Sequence, residues 1–94
     1  MNIVFEALAH PIRRGVLELL KSGSKSAGEI ADAFAVSKPT MSGHFAKLKE
    51  AGLIHADQRG TTIIYSINLS MLEEVLHGFM GRFEPEQQAQ GEAT

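Results

Sequence analysis

The sequence contains no cysteine, and this one absence removes several kinds of chemistry. Disulfide bonds, thiolate metal sites and cysteine nucleophiles are all excluded. Long apolar runs are also missing, because no stretch approaches the roughly 20 apolar residues of a membrane-spanning helix. The first residues lack the basic stretch that begins a signal peptide, so we expect a cytoplasmic protein without membrane insertion.

Basic residues are fewer than acidic ones, so the net charge is −2. This balance argues against a nucleic-acid partner until the positions of the charges are considered. Residues 84–94 hold three acidic residues and no basic one, whereas residues 37–62 hold four basic and two acidic residues. DNA binding needs only a local basic face, which the second segment offers. The composition predicts one domain over residues 1–83 and a disordered polar tail over 84–94.

Four short helices are predicted in the first half of the chain from apolar periodicity and capping signals. Pro11 and Pro39 suit the first turns of the second and fourth helices, where a missing N–H is tolerated. Ser26 and Ser37 suit the N-caps of the third and fourth helices. A tight break at residues 35–36 separates those two helices.

A β-hairpin and a last helix are predicted in the second half. Residues 54–59 form a candidate strand, and residues 62–67 are rich in β-branched and aromatic side chains. The last helix begins at Asn68 or Ser70, carries a wide apolar stripe and is closed by Pro85. The predicted order, α-α-α-α-β-β-α, is that of a winged helix-turn-helix, a mainly α fold (α+β) with a hairpin wing.

The fourth helix has the pattern of a DNA-contacting helix. Its apolar stripe is Met41, Phe45 and Leu48, and the opposite face offers hydroxyl groups, lysines and an imidazole. Such groups hydrogen-bond base edges or neutralise phosphates. Gly43 lowers helix propensity by about 1 kcal/mol relative to alanine, a cost that close approach to DNA would explain. A solvated surface helix would show the same residue types.

We therefore predict a set of DNA-binding residues on the fourth helix and the hairpin. Arg59, at the hairpin tip, suits a phosphate or minor-groove contact, although a solvated hairpin end would have the same composition. The predicted set is Ser37, Lys38, Thr40, Ser42, Gly43, His44, Lys47, Arg59 and Thr61.

Three ordered segments resemble the ArsR/SmtB family of winged helix-turn-helix repressors. Residues 7–20, ALAHPIRRGVLELL, resemble the family's opening helices, and residues 37–48, SKPTMSGHFAKL, resemble its recognition helix. The short pieces AGLI, RG and IYSI resemble its wing. Within the family, the length and the SKPxxSxH pattern look closest to the small autorepressors of the SdpR type.

The resemblance implies a homodimer built from the first and last helices. The sequence agrees independently, because the last helix has more apolar positions than one small core can bury. The alternative is that this stripe packs only within the monomer. A dimer would place two recognition helices about 34 Å apart on an imperfect inverted repeat. The expected interface residues are Val4, Phe5, Leu8, Leu72, Val75, Leu76, Phe79, Met80 and Phe83.

Metal sensing, which many members of the resembled family perform, is not expected here. The positions that match the family's third-helix thiolate site are Ser26 and Gly28, and neither can bind a soft metal. The ligand set on the last helix of other members also lacks suitable residues. It maps onto Leu69, Met71, Arg82 and Pro85. Only His77, beside Glu73 and Glu74, could begin a site, and too few ligands surround it.

His10 departs from the resembled family, which usually has aspartate before the proline. Histidine is expected to be a poor N-cap for the second helix, and its imidazole could titrate near neutral pH. We interpret the departure as a difference in stability rather than as a sensor.

The leading hypothesis is a sequence-specific (auto)repressor that binds double-stranded DNA, blocks transcription sterically and has no cofactor. One alternative is a repressor that responds to a metal or organic inducer. Another is a protein-interaction module that does not bind DNA, which the net charge of −2 favours slightly. An enzyme is not expected, because no paired acids, activated nucleophile or phosphate loop is present. In the resembled subgroup a regulatory protein partner can relieve repression, so the resemblance allows such a partner here.

Overall fold

Five helices and three strands make up the fold in the computed structural model, which describes residues 2–85. The helices are α1 (Asn2–Leu8), α2 (Pro11–Leu20), α3 (Ala27–Phe34), α4 (Lys38–Glu50) and α5 (Leu69–Gly81). The strands are β1 (Lys25–Ser26), β2 (Ile54–Arg59) and β3 (Thr62–Ile67). The predicted class, helices with a β-hairpin wing, is confirmed. The tail predicted over 84–94 lies, beyond Pro85, outside the described residues.

The short strand β1 was not expected from the sequence. It joins the hairpin to make a three-stranded antiparallel sheet of order β1-β3-β2. Lys25 pairs with Tyr65, and Ser26 pairs with Ile64. A strand of two residues is too short to show the alternation that identifies strands in a sequence. The pairing fixes the start of α3 against the wing.

Side-chain caps begin α3, α4 and α5 as the sequence predicted. Ser26 forms a capping box, in which its hydroxyl accepts from the Glu29 N–H at 3.1 Å and the Glu29 carboxylate accepts from the Ser26 N–H at 2.8 Å. Ser37 accepts from the Thr40 N–H to cap α4, and Asn68 caps α5. These bonds satisfy N–H groups that a helix start leaves without partners.

Two helix ends correct the sequence expectations. His10, expected to be a poor cap, accepts the Ile12 N–H on its Nδ1 atom at 3.1 Å and so caps α2. The last helix ends at Gly81 rather than at Pro85. Glycine is a weak helix former and loosens the last turn before the proline is reached.

The predicted break between α3 and α4 is confirmed. Ala35 has φ 52° and ψ 41°, in the left-handed region that costs a non-glycine residue about 1–2 kcal/mol. Its N–H donates to the carbonyls of Ala31 and Asp32, which closes α3. The chain then enters α4, the second helix of the helix-turn-helix.

The hydrophobic core lies beneath α4 and collects side chains from α1, α2, α3 and the wing. Phe45 stacks on Tyr65 with ring centroids 4.3 Å apart. Val4, predicted at the dimer interface, is instead 5% exposed within the single chain and belongs to this core. The largest fully buried side chains are Val16, Leu20, Ile30, Met41, Leu48 and Leu53.

Candidate nucleic-acid interface

The outer face of α4 is polar, and nearly all of its predicted DNA-binding residues are exposed there. Side chains three and four positions apart lie on the same side of a helix. Lys38 and Ser42 therefore share one row, and Thr40, Gly43 and Lys47 share the next. All five are exposed, as is Ser37 at the N-cap.

Gly43 lies in the middle of this face with open space above it. Apart from the adjacent residues and the backbone of α4 itself, no heavy atom of residues 2–85 comes within 4 Å of the position where a Cβ would stand. Packing inside the chain therefore does not require glycine here. A small residue at this point does leave the helix surface low between Thr40 and Lys47, where another molecule can approach the backbone.

The sequence prediction was wrong about the position of His44. Its side chain is buried, with 9% of the residue exposed, and faces α1 and α2 rather than solvent. Helical spacing explains this placement, because His44 lies three residues after Met41 and four before Leu48, both of which are buried. The same spacing was present in the sequence and identifies His44 as part of the inner face.

Arg13 is the buried side chain that meets His44. It donates from Nη1 to the His44 Nδ1 atom at 3.2 Å, from Nε to the Ala7 carbonyl at 2.8 Å and from Nη2 to the Glu6 carbonyl at 2.9 Å. The ring of His10 lies against that of His44, with centroids 4.5 Å apart. We call Arg13, His10 and His44 the inner polar cluster.

Burial and two neighbouring groups lower the pKa of His44. Loss of water contributes most, and the repulsion that a protonated His44 would meet from His10 and Arg13 adds to it. The neutral imidazole is therefore the favoured form in the folded chain. Sequence reasoning missed Arg13 as well, although an arginine in an otherwise apolar helix stripe is itself a signal of a buried polar contact.

Lys47 is shared between two surfaces. Its Nζ lies 3.8 Å from the Glu6 carboxylate on α1, and the two side chains are 47% and 64% exposed. An ion pair this exposed contributes at most about 1 kcal/mol and exchanges readily for another anion. Lys47 thus remains able to contact a phosphate at the edge of the α4 face.

The wing carries its predicted residues at exposed positions. Arg59 and Thr61 flank Gly60, whose φ of 63° makes the tight turn. Arg59 donates from Nε to the Asp57 carboxylate at 2.8 Å, a partner that the sequence prediction did not consider. Both side chains are well exposed, so this pair is weak and reversible.

A cleft of about 360 Å³ separates α4 from the wing. Its floor is apolar, with Met41 and Phe45 at the bottom. Its rim carries Lys38 and Ser42 on one side and Thr61 on the other. Three of the predicted residues, Lys38, Ser42 and Thr61, therefore border one concave surface.

The residues 2–85 contain no group of three or more histidine, aspartate or glutamate side chains placed to hold a metal ion. The hydroxyl of Ser26, at one of the positions matched to a family metal site, is engaged in the α3 cap. Across this same part of the chain, no helix combines the length and apolar character needed to cross a membrane.

Comparison with known proteins shows which family shares this architecture. A family profile described as a helix-turn-helix domain matches residues 8–56. The transcriptional repressor SdpR of Bacillus subtilis is 43% identical over 77 residues, which cover 82% of this chain and 86% of SdpR. The arsenical resistance operon repressor of Staphylococcus xylosus is 27% identical over 75 residues, which cover 80% of this chain and 72% of that repressor.

A solved structure agrees with these sequence matches. The crystal structure of an ArsR family transcriptional regulator superposes with a TM-score of 0.76 at 28% identity, covering 90% of this chain and 97% of that one. The proteins named here are transcriptional regulators, and none is an enzyme. From the fold, the helix-turn-helix match and the repressor relatives, this chain belongs to the ArsR/SmtB family of winged helix-turn-helix, DNA-binding transcriptional repressors.

Proposed function

We propose that the repressor binds its operator through the exposed face of α4 and the wing, as a homodimer on an inverted repeat. The observation that carries the DNA-contact assignment is the exposed polar surface of α4 and the wing, on which Lys38, Ser42 and Thr61 border one cleft. His44 is left out of the contacting set because it is buried. The proposed contacts are Ser37, Lys38, Thr40, Ser42, Gly43, Lys47, Arg59 and Thr61.

Helix α4 supplies both base-edge and phosphate contacts in this proposal. Thr40 and Ser42 can donate or accept hydrogen bonds in the major groove, while Lys38 and Lys47 neutralise phosphates. Arg59 exchanges Asp57 for a phosphate or enters the minor groove. Each exchange replaces a weak surface pair, so it costs little.

The dimer assignment is supported by apolar side chains that a single chain leaves uncovered. No residue of α5 is buried within the described chain. Phe5 of α1 meets Phe79 edge to face at 4.8 Å, and Phe79 meets Phe83 at 5.1 Å, which makes one aromatic ladder. Further apolar side chains of α1 and α5 are exposed, namely Ile3, Leu69, Leu76 and Met80. Covering such a patch is the usual role of a subunit interface.

The interface residues predicted from the sequence fall into two groups. Leu8, Leu72 and Val75 pack partly against the core of their own chain. Phe5, Phe79 and the three exposed positions complete the face offered to a second copy. The exposed three are Leu76, Met80 and Phe83. We propose that this second group forms the centre of the dimer.

We further propose that repression is steric, takes place in the cytoplasm and does not use the metal sites of other family members. The matched positions support this, because Ser26 is a helix cap and Leu69 and Met71 offer no nitrogen or carboxylate ligand. A thermal-shift comparison with zinc, nickel and cadmium is a direct check. An unchanged melting temperature agrees with the proposal, and a clear increase with any of these metals contradicts it.

A binding titration tests the proposed function. Fluorescence anisotropy at about 150 mM salt compares a duplex from the region upstream of the protein's own gene with a scrambled duplex of equal composition. We expect preference for the upstream duplex by about 1,000-fold or more, as for specific regulators. Equal affinity for the two duplexes would contradict autorepression, and equal affinity across a genomic fragment library would contradict sequence-specific binding.

A further inference from the structure

The inner polar cluster joins three helices that carry different parts of the proposed function. Arg13 comes from α2, and two of its nitrogens hold carbonyls at the end of α1, those of Glu6 and Ala7. Its third nitrogen holds His44 on α4. The contact therefore runs from the helix that faces the proposed dimer partner to the helix that faces DNA.

The hydrogen bonds of the inner polar cluster show which ring nitrogen is the acceptor in each imidazole. A guanidinium group only donates, so the His44 Nδ1 atom that meets Arg13 must be an acceptor. The His10 Nδ1 atom is also an acceptor, because the Ile12 N–H donates to it. A ring that accepts at Nδ1 carries its single proton on Nε2 and is neutral. A second proton on either ring would occupy Nδ1 and remove the bond made there.

We propose that the Arg13–His44 contact positions α4 for operator binding, and that protonation of His44 breaks this support, so that operator affinity falls in acid. The inference rests on the proposed role of α4 as the operator-contacting helix. In this role His44 is a positioning residue, since it lies beneath the DNA-facing surface and does not reach it.

The charged groups around His44 make its protonation unfavourable in the inner polar cluster. On α2 this is Arg13, at 3.2 Å, and the ring of His10, at the N-cap of α2, packs against His44. On α4 the nearest is Lys47, one helical turn away, and on α1 it is Glu6, whose carboxylate is engaged with Lys47. The cationic groups outnumber the one carboxylate. A proton on His44 would place a second cation beside Arg13 in a site with little water.

The sign of the pH effect follows from the lowered pKa of His44. The neutral form of His44 is favoured in the folded chain. The stability that the neutral imidazole contributes is therefore complete above the ordinary histidine pKa of about 6.5. This stability is lost as the pH falls below that value. General electrostatics gives the opposite trend for DNA affinity, because protonated histidines elsewhere on the surface attract phosphates. The direction of the change therefore separates the two accounts.

Operator affinity of the full chain, measured from about pH 7.5 to about pH 5.5 at constant ionic strength, tests the proposal. We expect the wild type to bind roughly tenfold more weakly at the acidic end, because protonation of His44 removes its hydrogen bond to the charged Arg13 side chain. His44→Asn keeps an acceptor near the Nδ1 position and cannot be protonated. It should retain neutral-pH affinity and lose the weakening in acid, and His10→Asn/His44→Asn should behave in the same way.

Two matched variants identify the histidine responsible. His55→Asn on β2 and His77→Asn on α5 remove exposed histidines outside the cluster and should keep the wild-type pH profile. Weakening in acid that persists in His10→Asn/His44→Asn, or that disappears in His55→Asn or His77→Asn, would overturn the proposal. Wild-type affinity that stays constant or rises in acid would overturn it as well.

A second readout on the free protein keeps the inference separate from the proposed function. The urea midpoint of the wild type should fall between about pH 7.5 and about pH 5.5, and that of His10→Asn/His44→Asn should fall less. If the wild type binds no operator at any pH, the proposed function fails. The urea experiment then still decides whether protonation destabilises the inner polar cluster. Equal pH dependence of the urea midpoint in both proteins would refute that claim.

Discussion

Helices α4 and α5 have the same length of 13 residues, and both lie at the surface, yet they relate to the rest of the chain in opposite ways. α4 buries one complete side and shows a polar face outside. α5 buries no residue fully and exposes apolar side chains, of which Met80 is 61% exposed. The inner side of α4 is covered by its own chain, and its outer face can contact a polar partner. The apolar side chains of α5 remain partly uncovered, and a second apolar surface would cover them.

The largest effect should come from removing the support beneath α4. Leu48→Ala deletes a side chain that is fully buried, so we expect the free energy of unfolding to fall by about 2–5 kcal/mol. The matched change on the other helix is Leu76→Ala, at a position that is 40% exposed. In dilute protein, where the monomer dominates, that change should cost about 1 kcal/mol or less. Urea denaturation of both variants measures the difference, and equal costs would show that the two helices are supported alike.

Charging the exposed end of α5 and the turn that follows it should dissociate the proposed dimer. Met80→Glu/Phe83→Glu places carboxylates where two apolar side chains would be buried on dimerisation, each worth about 1.5–3 kcal/mol. We expect the dimer dissociation constant in sedimentation equilibrium to rise at least about 100-fold, with the helical content unchanged. Lys49→Glu, an exposed change on α4, is the control. A double variant that still dimerises like the wild type would rule out this face as the interface.

How far the sequence predicts the molecule differs between the two helices. For α4 it predicts the cap at Ser37 and the buried stripe, since both follow from local periodicity and capping chemistry. It misplaces His44, because polarity was given more weight than the spacing from Met41 to Leu48. For α5 it predicts the apolar stripe but cannot say which positions turn inward. That choice depends on where the helix lies against α1, a contact between residues far apart in sequence.

Three further discrepancies between sequence and structure each have a physical cause. The strand β1 exists because β3 is available to pair with it, and two residues give no local pattern of their own. Val4 is buried because α1 packs against α4, so its apolar character did not distinguish the core from an interface. The Asp57 partner of Arg59 is a local contact between neighbouring side chains that a charge count overlooks.

A cation on the α4 face should matter for DNA and not for folding. Lys38→Ala removes a charge from the rim of the cleft, and we expect operator affinity to drop about tenfold or more, since a hydrogen bond to a charged group contributes about 1.5–3 kcal/mol. The dependence of log affinity on log salt should become shallower by about one for each protomer. Lys21→Ala, an exposed change at the end of α2, should leave both quantities unchanged. An unaltered salt dependence in Lys38→Ala would place the DNA elsewhere.

The smallest effect, and one with two signs, is expected at Gly43. Alanine is better than glycine in a helix interior by about 1 kcal/mol, and the space above this position is open among the described residues, so Gly43→Ala should raise stability. The added methyl group should nevertheless weaken operator binding, by about threefold to tenfold, if DNA approaches the helix here. Thermal unfolding and anisotropy on one preparation give both values. Gly78→Ala, at an equally open position on α5, should raise stability without weakening DNA binding.

The absence of cysteine makes the most direct test of the α4 assignment possible, because one introduced thiol is the only thiol in the chain. Ser42→Cys on α4 and Glu73→Cys on α5 each carry a DNA-cleaving reagent in a complex with the operator duplex. From the α4 position we expect two patches of cleavage about one helical turn of DNA apart, one for each protomer. From the α5 position we expect little. Cleavage from Glu73→Cys that equals or exceeds cleavage from Ser42→Cys would contradict the central claim that α4 faces the DNA.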